Sequence, residues 1–399
     1  MKNKSLFWII VAFVFSIALG LFLQPYPDCA EYFEPLGKIY INLIKFVMIP
    51  LVFSSLVVGV SDVTDVRKMG KIGLLTIVFF IITTLAAITI GVSISSIYAL
   101  GTNEDVLNNE YIVSNELNIT DVLINIFPDN FLGALVNTNM MQTIFAAVLI
   151  GVCLSKMGAK GSYVYNFINE VSDLSNMIIG GVMKLTPIGI VGLLVPTIIQ
   201  NGYDVLLPLI KVVGTFYLGV VIHIVITYGL LIRYVSDFKV IDFVKMIIPV
   251  QLLAFVSCSS MATLPVSLKT AQEKMNISKE VSGFILPLGA TINMDGNALY
   301  QGIVTLFIAE SYGVSLTLLQ KILVVLIGTI ASIGAAGVPG AGMVVLSTVL
   351  VAIGMPIDGI ALVAGIDRIF DMGRTMMNVT GDIVTTSVVD KIIRKIEKS

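Results

Sequence analysis

The sequence predicts an all-α, multi-span membrane protein with eight transmembrane helices and two re-entrant helical hairpins arranged as an inverted repeat. Three observations predict it. Of 399 residues, 56% are apolar or aromatic and only 13% are charged, about half the charged share of a soluble domain, so no polar shell covers this chain in water. Mean hydropathy is correspondingly high, at +0.97. Runs of roughly 20 apolar residues, the length that crosses a hydrocarbon core, tile the chain about eight to ten times. Basic and acidic connections then alternate between the runs as the positive-inside rule requires, except at two places.

The same arithmetic leaves little for an independent soluble domain and excludes a cytosolic enzyme or an extracellular disulfide scaffold. Formal net charge is -2. The one dense basic tract is the C-terminal tail (Lys391, Arg394, Lys395 and Lys398), so the footprint of a nucleic-acid partner is missing. Cys29, Cys153 and Cys258 share no motif spacing, which suggests neither a zinc site nor a disulfide framework.

The first run, Leu6 to Leu23, follows Lys2 and Lys4 and reaches Gln24-Pro25 without a small-residue cleavage site. It reads as a retained span that starts in the cytoplasm, not as a signal peptide. Asp28, Glu31 and Glu34, against Lys38, put the next loop outside; Arg67, Lys68 and Lys71 put the one after the second span inside. After the third span, Glu104, Asp105, Glu110, Glu116 and Asp121 lie in a stretch without Lys or Arg, hence outside, and Lys156 and Lys160 follow the fourth, hence inside. Asn118-Ile119-Thr120 in that outer stretch also fits a glycosylation sequon. A fifth run ends at Asn201-Gly202-Tyr203-Asp204, and a sixth returns to the cytoplasm at Arg233, Lys239 and Lys245.

Here the alternation fails. The apolar stretch Met246 to Leu268 has Lys245 before it and Lys269, Lys274 and Lys279 after it, so it enters and turns back on one side. Its middle, SCSSMATLP, supplies small hydroxylated residues closed by a proline, suited to a backbone that leaves the helix inside the membrane. Ile322 to Met355 repeats the pattern between Glu310 and Asp358, with SIGAAGVPGAG in its middle. With a cytoplasmic C-terminal tail this stretch begins and ends outside. Two hairpins of opposite orientation, each followed by a span, form the inverted repeat of secondary transporters, whose sites lie where helices break near the midplane. The competing reading is ordinary helices with glycine packing faces.

The last span, roughly Gly359 to Val389, contains GIDRIFDMGRTMMNVTGD. At 100° per residue, Asp371, Arg374, Thr375, Asn378 and Asp382 share one stripe, joined by Asp367. Each central Asp or Arg costs about 2.5 to 3.5 kcal/mol on insertion scales, so such a face needs protein, water, substrate or ions against it. An Asp371–Arg374 structural pair accounts for part of the stripe, but Asp382 still needs a cationic partner. In the seventh span, GATINMDGNALYQG places Asn293 and Asp295 at a helix break, where freed carbonyls and a carboxylate offer the hard oxygens an alkali cation favours; taken alone, NMDG also fits a loop cap. Thr83 and Thr84 in FFIITTLAA offer hydroxyls to the same end, or bond back to their own helix. GAAGVPGAG lacks the Lys and Ser/Thr of a phosphate loop and reads as a flexible gate. His223, the single histidine, lies in an apolar helix with no carboxylate near it in sequence and reads as a packed residue.

The strings SSMATLPVS, LPLGATINMDGNALYQG, ASIGAAGVPGAG and DMGRTMMNVTGD, in this order, resemble the dicarboxylate/amino acid:cation symporter family, the glutamate transporters and their prokaryotic homologues. The resemblance covers most of the chain and is densest from Val256 onward. It implies a homotrimer in the plasma (inner) membrane, with both termini cytoplasmic. A static scaffold (residues 1–68, helices 1–2, and 120–202, helices 4–5) would hold a transport domain (69–101, helix 3, and 203–399, helix 6 to helix 8 with both hairpins) that moves like an elevator.

It further implies that Asp371 receives a substrate amino group and Arg374 a side-chain carboxylate, a bidentate match that favours acidic substrates. Thr375, Asn378 and Asn297 would line the substrate, with Ser260 and the backbone at Val338 and Gly342 on its alpha-carboxylate. One sodium site would use Gly289, Asn293, Asn378 and Asp382. A second would use Thr83, Thr84, Asn293, Asp295 and the Phe80 carbonyl, and a third the carbonyls of Thr291, Ser332, Ile333 and Ala335. Cys258 and Met372 stand where some relatives carry an arginine, so positive charge is lower here unless Arg368 reaches in; Asn297 and Met261 replace a common threonine and serine.

The expected function is sodium-coupled import of L-aspartate or L-glutamate, with sodium as coupling ion and no other cofactor. The alternative within the family is a symporter for cystine, a neutral amino acid or a C4-dicarboxylate, with proton coupling as a variant. An intramembrane enzyme would need a nucleophile and base or a metal cluster, and one histidine without HExxH supplies neither. A passive anion channel would need no cation gradient.

Overall fold

The computed structural model describes residues 2–65, 70–98, 127–137, 140–201, 206–333 and 341–397. Among these, all regular structure is helical. The helices are α1 (Lys2–Leu23), α2 (Ala30–Asp65), α3 (Lys71–Tyr98), the short α4 (Phe131–Val136), α5 (Met140–Met157), α6 (Ser162–Val182) and α7 (Thr186–Asn201). They continue with α8 (Leu206–His223), α9 (Gly229–Val235), α10 (Val240–Ser257), α11 (Ser260–Lys269), α12 (Lys279–Ile292) and α13 (Asp295–Ser311). The last four are α14 (Leu318–Ile333), α15 (Ala341–Ala352), α16 (Ala361–Ala364) and α17 (Asp367–Glu397). Among the described residues, five segments are long and apolar enough to cross a bilayer: Pro27–Ser61, Lys71–Tyr98, Gln142–Val182, Leu207–Val235 and Val240–Ser257. The protein is a multi-pass helical membrane protein.

Its polarity is reversed from that of a soluble protein. Phe22, Leu74, Ile210 and Leu252 are exposed, whereas Asp295, Arg374 and Asp382 are buried. Lipid is the solvent that makes this arrangement favourable, because it welcomes apolar side chains and drives polar ones against protein.

The helices pack in two sets. α2 lies against α5, α6 and α7, and α1 against α7. In the other set α3 lies against α13 and α8, while α10, α12 and α13 surround α17. α14 and α15 pack on each other and on α13, and α15 also meets α2 and α5. Glycines bring the central pair together: a Cβ on Gly91 would stand 2.6 Å from the Leu299 carbonyl, and one on Gly302 2.8 Å from that of Ile88. Any larger residue would force α3 and α13 apart.

Local chemistry explains three irregularities that shape the site. α10 ends where Cys258 takes a left-handed conformation (φ 50°). Ser259 then caps α11 by accepting from the Ala262 amide at 3.2 Å, so two residues turn the chain and α11 packs back on α10. The break falls within the SCSSMATLP string, but Pro265, expected to close the tip, lies inside α11. The cap and the left-handed residue already turn the chain, and the proline removes only one amide bond of the following helix. Between α12 and α13, Asn293 (φ -88°, ψ 89°) and Met294 (φ -113°, ψ 53°) leave the helical region. Between α8 and α9, Ile224–Tyr228 form a π-helical turn.

The last span does not run unbroken from Gly359. A 3-10 turn over Ile357–Ile360 and the four-residue α16 come first, and α17 begins at Asp367. The outer stretch 101–121, the tip residues 334–340 and Gly202-Tyr203-Asp204 lie outside the described residues.

Candidate functional site

The polar stripe of α17 is wholly interior: Asp367, Asp371, Arg374, Thr375, Asn378 and Asp382 are all buried. Arg374 is at its centre. Its Nη2 donates to Asp371 Oδ1 at 3.0 Å and to Asp367 Oδ2 at 3.2 Å, while Nη1 stands 3.2 Å from Asp367 Oδ1 in an ion contact without hydrogen-bond alignment. The guanidinium lies over the Tyr300 ring at 4.3 Å, and Tyr300 packs on Phe370 and Phe216, so the arginine has a rigid apolar floor. Arg368 Nη1 reaches Asp371 Oδ2 at 3.4 Å. Two aspartates and two arginines thus balance in charge, but Nε of each arginine is buried without a partner among the described residues. Those unspent donors can meet an anion.

The start of α15 closes over this cluster. A Cβ on Gly342 would overlap Arg374 Nη1, and Gln301 on α13 donates to the Gly342 carbonyl at 3.2 Å. Only glycine lets the backbone pass so near the guanidinium.

A second cluster forms where the α12–α13 break meets α17. Asp382 Oδ1 accepts from Asn293 Nδ2 at 3.1 Å, and Asn378 Oδ1 accepts from the Gly296 amide at 2.7 Å while its Nδ2 meets Met294 Sδ at 3.1 Å. Asp295 Oδ1 accepts from Thr83 (3.2 Å) and Thr84 (2.7 Å), and its Oδ2 accepts from the Tyr228 hydroxyl at 2.6 Å. Thr83 also donates to the Phe80 carbonyl at 3.2 Å. Gly381 permits the approach: a Cβ there would stand 2.9 Å from both Asn293 Nδ2 and Asp295 Oδ2.

Neither Asp295 nor Asp382 is paired with a lysine or arginine among the described residues, and Asn293 Oδ1 is buried without a partner. Two buried carboxylates beside an orphaned acceptor make a region of strong negative potential, costly unless a cation enters. Among the described residues no three His, Cys, Asp or Glu side chains converge. The donors are carboxylate, amide, hydroxyl and carbonyl oxygens, a hard set that suits an alkali cation better than a transition metal.

A search of known families matches residues 6–392 to the sodium:dicarboxylate symporter family. The chain belongs to this family. It is therefore a transport protein, a secondary-active symporter of a small anionic solute, and not an enzyme. A proton/sodium-glutamate symport protein of Geobacillus stearothermophilus is 33% identical over 402 residues, covering 98% of this chain and 95% of the relative. A proton/glutamate-aspartate symporter of Escherichia coli is 31% identical, covering 100% and 95%. A C4-dicarboxylate transport protein of Paraburkholderia phymatum is 32% identical, covering 98% and 93%.

Of the residues this symporter was expected to use, the structure brings Asp371, Arg374 and Gly342 together in the upper cluster, leaves Thr375 buried on the same face of α17, and places Asn378 one turn on, bonded to Gly296 and Met294 at the α12–α13 break, with Asn297 buried on α13 and Ser260 buried in the first turn of α11. Phe80, Thr83, Thr84, Gly289, Asn293, Asp295 and Asp382 gather in the lower one. Thr291 is exposed and its hydroxyl bonds back to the Leu288 carbonyl at 2.8 Å. Ser332 is buried with its hydroxyl unpartnered, and Ile333 ends α14. Ala335 and Val338 lie outside the described residues.

Sequence reasoning missed Tyr228 and Tyr300. His223, read as a packed residue with no carboxylate near it in sequence, is fully buried, and the fold brings a distant one to it: Nε2 is 3.8 Å from Asp295 Oδ2 and the ring packs edge-on against Tyr228 at 4.5 Å. The histidine is packed, and it is packed on the lower cluster.

Proposed function

We propose that this protein imports an acidic amino acid, L-aspartate or L-glutamate, together with sodium. One observation carries the reading: a single buried helix face bears a guanidinium–carboxylate site and, about 12 Å further along at 1.5 Å per residue, a carboxylate with no lysine or arginine partner among the described residues. The first suits a zwitterion with an extra carboxylate, and the second suits a coupling cation.

In this reading Asp371 takes the substrate ammonium and Arg374 the side-chain carboxylate, using the donors it does not spend on Asp367 and Asp371. Thr375, Asn378 and Asn297 line the substrate, and Ser260 with the backbone at Val338 and Gly342 holds the alpha-carboxylate. Gly289, Asn293, Asn378 and Asp382 hold one sodium ion. Thr83, Thr84, Asn293, Asp295 and the Phe80 carbonyl hold another, and the carbonyls of Thr291, Ser332, Ile333 and Ala335 a third. The orphaned Asn293 Oδ1 between the first two sets supports this assignment.

The carrier works as an elevator in a homotrimer of the plasma membrane, with eight spans, two re-entrant hairpins and cytoplasmic termini. Residues 1–68 and 120–202 form the scaffold; 69–101 and 203–399 form the moving domain. The separate packing of α1, α2 and α5–α7 from α3, α8, α10, α12, α13 and α17 supports that division. The basic ends, Lys2 and Lys4 at one and Lys391 to Lys398 at the other, support the orientation.

A relative named as a C4-dicarboxylate transport protein, as similar as those named for glutamate, favours a second reading in which the solute has no amine. Proton coupling is the corresponding variant for the ion, since the glutamate relatives are named for proton and sodium alike. The test is uptake of labelled L-aspartate into proteoliposomes under an inward sodium gradient or a proton gradient alone, with glutamate, cystine and succinate as competitors. Sodium-driven accumulation blocked by glutamate is the expected result. Succinate outcompeting aspartate, or accumulation driven by protons alone, would reverse it.

A further inference from the structure

We propose that Arg368 is a specificity-determining residue: by neutralising Asp371 it narrows this carrier's discrimination between acidic amino acids and dicarboxylates that lack an amine. The inference rests on the acidic-solute reading above and deepens it.

Both oxygens of Asp371 are already engaged. Oδ1 accepts from Arg374 at 3.0 Å and Oδ2 from Arg368 at 3.4 Å. The two contacts are unequal. Arg374 is fully buried, held also by Asp367 and floored by Tyr300. The Arg368 side chain keeps 17% of its surface exposed, makes one longer contact, and leaves its Nε without a partner. An ammonium seeking Asp371 therefore displaces Arg368 and leaves Arg374 in place.

The consequence differs between substrate classes. An amino acid replaces one cation on Asp371 with another, and loses from its affinity the energy of the pair it breaks. A dicarboxylate brings no cation, leaves the pair intact and meets a neutralised Asp371 where it would otherwise meet a bare negative charge. The free Nε of Arg368 then gives its second carboxylate a donor. Arg368 thus weakens amino-acid binding and relieves repulsion of dicarboxylates.

Arg368 acts through Asp371, so the test needs a readout that a general loss of structure does not imitate. Detergent-purified wild type, R368A, R368Q and R368K are titrated with L-aspartate and with succinate in sodium buffer, and dissociation constants are read from the ligand-dependent rise in Tm. The ratio of the succinate constant to the aspartate constant is expected to rise at least about tenfold in R368A and R368Q, from tighter aspartate and weaker succinate, and to return toward wild type in R368K. R368Q keeps most of the side-chain volume and serves if R368A does not fold. Parallel changes for both ligands, a loss of aspartate binding alone, or a wild type that neither ligand stabilises would overturn the proposal. The symport reading fails on a different observation, the absence of ion-driven uptake by wild type in proteoliposomes, because the ratio comes from binding and needs no transport.

Discussion

Replacing Gly289 by alanine tests the lower cluster without touching any charge. A Cβ at this position on α12 would overlap Asp382 Oδ1 and stand 2.7 Å from its Cγ and 3.2 Å from Cζ of Phe80. Carbon atoms rest at about 3.5–4.0 Å, so the carboxylate has to retreat by roughly 1 Å. Retreat is resisted, because Asp382 is buried in mid-helix, its Oδ1 is held by Asn293 at 3.1 Å, and its carbonyl accepts from Thr386 at 2.6 Å. Overpacking of this kind costs about 1–3 kcal/mol. If the shift falls on the ion-bound geometry, sodium affinity drops by roughly 5- to 150-fold at about 1.4 kcal/mol per decade. The assay is the sodium dependence of substrate uptake, with Gly283→Ala as control: it lies on the same helix and a Cβ there meets nothing within 4 Å. Equal half-saturating sodium for the two folded variants would refute the assignment of Asp382 to a cation.

Arg374→Ala is expected to abolish uptake of acidic substrates and to lower Tm, since removing a buried partner of Asp367 and Asp371 costs about 3–5 kcal/mol; unchanged aspartate affinity would refute its role. Asp382→Asn keeps the shape and removes the charge, so half-saturating sodium should rise, and an unaltered titration would make the carboxylate purely structural. Gly296→Ala should destabilise the fold by at least the roughly 1–3 kcal/mol of ordinary overpacking, because its Cβ would lie 2.6 Å from Cα and 2.8 Å from the carbonyl carbon of Arg374, and backbone cannot step aside. Thermal unfolding in detergent measures it, and a Tm equal to wild type would show that α13 and α17 are not held at this contact.

The stripe on α17 was legible because helical period alone fixes which residues share a face, and burial then follows from the cost of charge in lipid. The first turn-back was legible for a different reason: lysines on both sides of an apolar run leave no other path, and the structure breaks α10 from α11 inside the small-residue string. What periodicity cannot carry is contact between helices distant in sequence. Tyr228 reaches Asp295 from the end of a π-helical turn, where the extra residue per turn shifts the register that counting at 100° assumes. Tyr300 meets Arg374 only because Gly296 lets α13 lie directly on α17. His223 had no acidic neighbour along the chain, yet the packing of α8 on α13 brings one to 3.8 Å.

The same contacts suggest why solute and ion would bind together. Asn378 lies between Arg374 and Asp382 on α17, and its amide holds the α13 side of the break, accepting from the Gly296 amide and meeting the Met294 sulfur. Asn293 and Asp295, beside those two residues, face Asp382 and the threonines of α3. Gly296 in turn touches the backbone of Arg374. In the proposed reading a cation drawn between Asn293 and Asp382 would fix the break, and a fixed break would fix the seat of Arg374. In that reading whichever ligand arrives first would bear the cost of fixing residues 293–296, and the second would bind to a site already fixed, which would be positive coupling without any large displacement. Linkage makes that coupling reciprocal: the factor by which sodium tightens substrate binding equals the factor by which substrate tightens sodium binding. A non-helical break held from α17 by both Asn378 and Asp382 would therefore be enough to tie the two equilibria, and a continuous α12–α13 helix, with its carbonyls and amides spent on each other, would leave them independent.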